Sequence, residues 1–402
     1  MGKNLNPSLS NMDLQSPSRP HNWFERHTKK TLFFIVALFF IALDLALAPY
    51  FAERIPNIKS SYYHHGLVAN YRGEMAWGPY KYQINTNSLG FKDNSNRIVS
   101  KINDKYRLLF IGDSFTEGVG FAYDDTFVGM IAKQLGNSDY EVLNPSVSSY
   151  SPKLYYLKIK YLIENCGMKI NEVFVFIDLS DVSDEIEYES FTPYNSELWT
   201  IFNRVNFFIK RNSLLGNILI KEMINIRRDY LFKSFYREPA DNNKNTNNIN
   251  HNQENNAPPK PAKYWENMSE YMKDRVAWTH NDEVFNKWGW KGMSLAQENI
   301  DKLNELCKKN AVKLTISVYP WPEEIWNHNI NSRNVTLWES FCKEKGINFI
   351  NCYPYFFTGE DPEVIIKKYF IVNESHFNLE GHKLMAKIWL DHYNLNNFGK
   401  AR

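Results

Sequence analysis

The sequence predicts an α/β protein: a doubly wound parallel sheet of about five strands between helical layers, preceded by one transmembrane helix. Three observations carry this. From residue 105 onward, short apolar runs alternate with amphipathic helical patterns. Near the N-terminus, 21 consecutive residues hold a single charge. The first apolar run ends directly on Gly112-Asp113-Ser114, at the strand end where open α/β sheets bind ligands.

The long apolar stretch covers residues 31–51 (TLFFIVALFFIALDLALAPYF), with Asp44 near its far end. About 20 apolar residues span the ~30 Å hydrocarbon core of a bilayer. The first 30 residues hold five basic groups against two acidic, and Arg26, Lys29 and Lys30 lie next to the span. The positive-inside rule then places the N-terminus in the cytoplasm and everything after residue 51 outside, as a single-pass protein with an extracytoplasmic main domain. A cleaved signal peptide is the competing reading. Ala46-Leu47-Ala48 has the small residues of a cleavage site, but Pro49 follows it. The tail 1–30, rich in Asn, Ser and Pro, is expected to be disordered.

Residues 52–104 are rich in Tyr, His and Gly without a helical period, and read as a β-rich extension packed on the main domain. The strands of the main domain, 105–402, are read at 106–111 (YRLLFI), 141–143, 173–179 (VFVFIDL), 312–319 (VKLTISVY) and 347–352 (INFINC). Nearly continuous apolar runs are what parallel strands covered on both faces look like. Helices are read between them. Phe127, Met130, Ile131 and Leu135 share one face. Ser151-Pro152 opens a helix with Pro in its first turn. Ala296, Ile300, Leu303 and Leu306 follow Ser294 and Gln297, spaced as a capping box. Leu384, Met385, Ile388 and Trp389 mark a C-terminal helix. Strand–helix alternation implies right-handed crossovers and a doubly wound sheet.

An insertion, 187–291, interrupts the alternation. Its part 201–237 has a helical pattern with eight basic and two acidic residues, and 241–256 holds nine Asn in sixteen. The linker at about 240–262 cannot bury apolar area and is expected to be disordered. The insertion reads as a lid over the sheet or as a solvated excursion.

Composition excludes other classes. Across 402 residues, 43% hydrophobic and 15% aromatic content exclude disorder of the whole chain. Lys and Arg number 47 against 45 Asp and Glu, so no basic excess suggests a nucleic-acid partner. Cysteines at 166, 307, 342 and 352 lack zinc-ligand spacing. A bridge among Cys307, Cys342 and Cys352, with Cys342–Cys352 favoured, competes with three small buried hydrophobes. No phosphate loop is present, and Val182 and Ser183 break a calcium pattern in the acidic run Asp178, Asp181, Asp184 and Glu185. No cofactor or metal is expected.

Two signals carry chemistry. Ser114 follows a buried strand and precedes a helix. His376 lies far downstream with Glu374 two residues before it, so that a carboxylate can hold the imidazole of a serine nucleophile's base. Gly112-Asp113-Ser114-Phe115 with a distant carboxylate-x-His resembles the SGNH/GDSL hydrolase superfamily. The resemblance spans about residues 105–395. Asn144-Pro145-Ser146-Val147-Ser148-Ser149 stands where that family has an Asn-x-x-x-x-Gly turn, and Asp178-Leu179-Ser180-Asp181 where it has Gly-x-Asn-Asp. The run 85–91 (NTNSLGF) and Tyr319-Pro320-Trp321-Pro322 look like a membrane-anchored subgroup of bacterial envelope proteins, some of which move acetyl groups on glycans.

The resemblance implies a flavodoxin-like three-layer α/β/α fold. It implies a catalytic Ser114, His376 and Glu374, and an oxyanion site of Ser114, Ser149 and Ser180. Asp113, Asn144 and Asp181 would support them. Three departures stand out: Ser149 for Gly, Ser180 for Asn and Glu374 for Asp. The expected function is an anchored extracytoplasmic esterase acting on an acylated carbohydrate, with O-acetyl groups of an envelope glycan as substrate. The alternatives are an O-acyltransferase with the same site and a non-catalytic envelope scaffold or glycan-binding protein. Protein partners are not legible.

Overall fold

The computed structural model describes residues 22–51, 57–77, 80–136, 139–193, scattered positions between 201 and 223, and 275–398. Most of the tail 1–30 and all of the linker 240–262 lie outside the described residues. The chain divides into two compact units, one of 1–53 with 208–240, the other of 54–207 with 241–402.

The first unit contains helix α1 (Thr28–Phe51). A capping box between Asn22 and Glu25 opens the short turn before it. Residues Thr28–Ala48 are long and apolar enough to cross a membrane. Phe33 is 69% exposed and Leu38 64%, surface that lipid would cover. Asp44 accepts a hydrogen bond from the backbone N–H of Leu215 at 2.8 Å. Part of the insertion therefore groups with the apolar helix. The lid reading falls mostly outside the described residues.

The second unit begins with five short antiparallel strands: β1 (Asn57–Ser60), β2 (His64–Leu67), β3 (Arg72–Trp77), β4 (Tyr80–Thr86) and β5 (Lys92–Asp93). The main sheet follows: β6 (Tyr106–Ile111), β7 (Tyr140–Leu143), β8 (Glu172–Ile177), β9 (Lys313–Val318) and β10 (Asn348–Asn351). Its order is β10-β9-β8-β6-β7, parallel throughout. The helices are α2 (Ser114–Glu117), α3 (Phe127–Leu135), α4 (Pro152–Lys160), α5 (Asp181–Tyr188), α6 (Trp290–Lys309), α7 (Pro322–Trp326), α8 (Arg333–Lys345), α9 (Pro362–Tyr369) and α10 (Leu379–Phe398). Helices α4, α5 and α6 pack together, and α3 packs on α10, which makes a three-layer α/β/α unit.

Every residue of β8 is buried, as its unbroken apolar run requires. Phe110 stacks on Phe174 with ring centroids 5.1 Å apart, and Trp389 of α10 meets Phe110 at 5.1 Å. The chain steps from β6 to β7 on one side and then to β8 on the other. This reversal opens a crevice at the strands' C-terminal ends.

Two expectations are corrected. Ser294 and Gln297 do not cap a helix: α6 starts at Trp290, and the side chain of Gln297 donates instead to the carbonyl of Leu337. An uninterrupted helical pattern overrode the local cap signal. All four cysteines are free, so no bridge joins Cys342 and Cys352. Cys307, Cys342 and Cys352 are each 1% exposed and act as small core hydrophobes. Helix α9 lies between β10 and the turn that carries His376.

Candidate active site

Gly112 ends β6 in a place that admits no side chain. An added Cβ would lie 2.2 Å from Thr116 Oγ1 and 2.9 Å from the carbonyl of Phe176. Asp113 then caps α2, accepting from the backbone N–H of Phe115 at 3.0 Å. Gly118 closes the turn in the left-handed region, at φ 75°. The loop after β7 is stitched to this turn. Asn144 Nδ2 donates to Thr116 O at 2.8 Å, and Ser146 Oγ accepts from Gly112 N–H at 3.1 Å. Asn144 thus supports the nucleophile loop from behind.

His376 comes from a turn between α9 and α10, closed by a bridge between Phe370 and Phe377. Asn373 turns it at φ 60°, a value Asn tolerates better than most residues. Asn378 fixes its far side, with its side chain accepting from Gly381 N–H and donating to Phe370 O, both at 3.0 Å. This turn sets Glu374 Oε2 at 2.9 Å from the His376 backbone N–H and at 2.5 Å from Nδ1. On the other side of the ring, Nε2 is 2.8 Å from Ser114 Oγ. Ser114, His376 and Glu374 form one hydrogen-bonded chain. Burial works against the Glu374 carboxylate. The hydrogen bonds and charge of His376, with a hydrogen bond from Trp77, outweigh it and hold Glu374 below its ordinary value.

Aromatic rings enclose the imidazole. Phe115 stacks on it at 4.5 Å, and Trp77 meets it edge-on at 5.0 Å. Behind Phe115 lie Tyr319 at 5.1 Å and Trp321 at 5.9 Å.

The acidic run is buried and engaged with protein partners. Asp178 accepts from Ser180 N–H at 2.5 Å and from Trp321 Nε1 at 3.0 Å. Asp181 accepts from the Tyr155 hydroxyl at 2.9 Å and from Asp178 N–H at 3.1 Å. Asp184 pairs with Arg275. Glu185 accepts from Ser151 Oγ and from Asn299 Nδ2, both at 3.0 Å. Among the described residues, no three His, Cys, Asp or Glu side chains are grouped to hold a metal. Burial first, then the charge of Asp178, push Asp113 well above the ordinary carboxylate range.

The positions expected to bind an oxyanion differ in their settings. Ser149 is exposed, on the turn after β7, at φ 62°. A serine there occupies a conformation that suits glycine. The turn is held from three sides. Glu117 Oε2 accepts from Ser148 N–H at 2.7 Å, His65 Nε2 lies 3.0 Å from Ser148 O, and the Tyr188 hydroxyl donates to Ser149 O at 2.9 Å. Burial pushes His65 down to about 4, so the ring is neutral and Nε2–H donates. Ser180, by contrast, is buried, and its hydroxyl is hydrogen-bonded to Asp178.

Three solved structures are among those similar to this chain. A GDSL-like lipase from Bacteroides thetaiotaomicron is 13% identical, with TM-score 0.36, over 74% of this chain and 93% of that one. A lipolytic protein of the G-D-S-L family from Desulfitobacterium hafniense is 14% identical, with TM-score 0.37, over 71% and 98%. An acetylxylan esterase from Geobacillus stearothermophilus is 11% identical, with TM-score 0.36, over 73% and 95%. No protein-family model matches this chain, and no curated protein does. What the site can do follows from its own side chains.

Two residues of the extension were not legible as site residues. Lys92 of β5 is 1% exposed, and its Nζ donates to Gly118 O and Phe121 O, both at 2.7 Å, clamping the loop after the nucleophile. Burial lowers it to about 8. The Asn87 turn within the 85–91 run delivers it: Asn87 Oδ1 accepts from Leu89 N–H at 3.0 Å and Phe91 N–H at 3.2 Å. Trp77 is the second. A lone Lys or Trp on a short strand follows no motif, so only its contacts reveal it.

Proposed function

We propose that this chain is a serine hydrolase of the SGNH/GDSL type, cleaving O-acyl esters with Ser114, His376 and Glu374. The hydrogen-bonded run from Ser114 Oγ through the imidazole to the Glu374 carboxylate carries the reading. Ser114 Oγ attacks the ester carbonyl while its proton passes to His376 Nε2, and Glu374 stabilises the imidazolium. The backbone N–H groups of Ser114 and Ser149 bind the oxyanion, a contribution of about 3 kcal/mol per donor in such sites. As the ester C–O bond breaks, His376 returns the proton to the leaving alcohol. Water then attacks the acyl-enzyme by the same route.

Ser114 has one proton and two acceptors in reach, Asp113 Oδ2 at 3.0 Å and His376 Nε2 at 2.8 Å. Asp113 in its neutral form donates to Oγ instead and leaves the serine proton for His376.

The substrate we favour is an O-acetylated envelope glycan, with the chain anchored through residues 31–51 and the α/β unit outside the cytoplasm. The apolar helix and the basic residues before it support that placement. Full-length protein in detergent should hydrolyse an aryl acetate, and Ser114→Ala should reduce this at least a thousandfold. Equal rates for the two proteins would refute the reading. An added oligosaccharide acceptor would reveal transfer in place of hydrolysis.

A further inference from the structure

Strand β3 belongs to the extension and, among the described residues, pairs only with β4, antiparallel from Arg72↔Asn85 to Trp77↔Tyr80. Side chains alternate along a strand, and here Gly73, Met75 and Trp77 take the half-buried side. Trp77 stands at the hairpin's end. It borders the loop after the nucleophile, where a Cβ added at Gly120 would lie 3.8 Å from the Trp77 Cβ. The indole meets His376 edge-on at 77°, with Phe115 stacked on the ring at 28°. The indole also faces the Glu374 carboxylate as a donor and helps to hold it below its ordinary value.

We infer that Trp77 is a positioning residue of the proposed reaction: the extension supplies the indole that fixes the Glu374 carboxylate and the His376 ring. This rests on the hydrolase reading above. Glu374 has one more rotatable bond than the Asp expected at its place, and its side chain is 29% exposed. Its own turn anchors one oxygen, Oε2, through the backbone N–H and Nδ1 of His376. A further donor limits rotation of the carboxylate. An indole N–H suits that task because it donates only and does not compete for the imidazole proton. The ring edge meanwhile narrows the space in which His376 could turn away from Ser114. Residues that orient the ligands of a bound metal matter 10- to 100-fold, and an effect at the low end of that range is expected for a carboxylate held in the same way.

The test uses full-length protein in detergent. Trp77→Phe keeps an aromatic ring and removes the donor. It should lower kcat for an aryl acetate about tenfold with KM within about twofold. A purely structural defect would add to any other. In a Glu374→Gln background, Trp77→Phe should therefore cost less than about twofold, because the partner it acts through is gone. A kcat within twofold of wild type, or losses that multiply in the double variant, would overturn the inference. A readout independent of turnover is the Nδ1 proton of His376 by NMR. Trp77→Phe should shift it upfield or broaden it, while the melting temperature stays within a few degrees. An unchanged resonance overturns the inference even in a protein with no activity. An inactive wild type overturns the hydrolase reading alone.

Discussion

His376 Nε2 lies 2.8 Å from Ser114 Oγ although 262 positions separate the two residues. The contact joins the turn after the first strand of the main sheet to a turn just before the last helix. Both turns are locked by backbone hydrogen bonds of their own, so the pair is pre-organised.

Glu374 decides whether this pair works as a triad. Glu374→Gln should lower kcat about a thousandfold with little change in KM, since an amide favours the wrong tautomer and cannot stabilise the imidazolium. Glu374→Asp should retain part of the activity. Asn373→Ala should remain within about threefold, because Asn373 shapes the turn only through its φ of 60°. Steady-state kinetics on an aryl acetate check all three. A Glu374→Gln variant within threefold of wild type would reduce the site to a Ser114–His376 dyad.

Ser149 stands at φ 62° on the turn after β7, and its N–H is an oxyanion donor of the proposed reaction. The left-handed region costs a residue with a Cβ about 1–2 kcal/mol, while Gly pays roughly 0.5–1 kcal/mol in lost entropy. Ser149→Gly should therefore leave stability within about 1 kcal/mol and retain activity. Ser149→Val should lose about 1–2 kcal/mol in chemical denaturation and also lower kcat.

The buried carboxylates make stability depend on pH. Burial pushes Glu185 up to about 7, and Asp184 likewise to about 7 although Arg275 opposes the shift. In the unfolded chain both titrate near 4. Between about pH 4 and pH 7 the folded protein holds protons that the unfolded chain has released, so stability falls as pH rises through that window and levels off above it. The melting temperature should drop by about 5 °C from pH 5 to pH 8. Glu185→Gln should flatten this slope. A melting temperature that rises over the same range would contradict the assignment. Glu374 acts in the opposite sense, and only at lower pH: its folded value is depressed, so its contribution disappears as pH falls below about 4.

The proposed orientation across a membrane rests on the basic residues before the apolar helix. Cysteines placed at Ser10 and Lys260 in a cysteine-free variant should label from opposite sides of the membrane, Lys260→Cys in intact cells with a permeabilised outer envelope. Labelling of Lys260→Cys only after lysis would reverse the topology.

Patterns with a short repeat were readable directly. The apolar run 106–111 is β6 residue for residue, and 173–179 contains most of β8, because strands buried on both faces demand apolar side chains without interruption. Glycine before Asp113 marks a place where a side chain does not fit, and Pro after Ser151 a φ preset for a helix's first turn. The apolar stretch 31–51 declares itself by length alone. These features depend on neighbours two to four positions apart or on a residue's own conformation. Packing between distant segments decided the rest. It placed Lys92 on the loop after the nucleophile, Trp77 against Glu374 and His376, and Trp321 on Asp178. It also left Cys342 and Cys352 unbridged and carried a helix straight through Ser294. Such contacts leave no period in the sequence. Each is selected by the shape and polarity of a surface that exists only once the strands, helices and extension have come together.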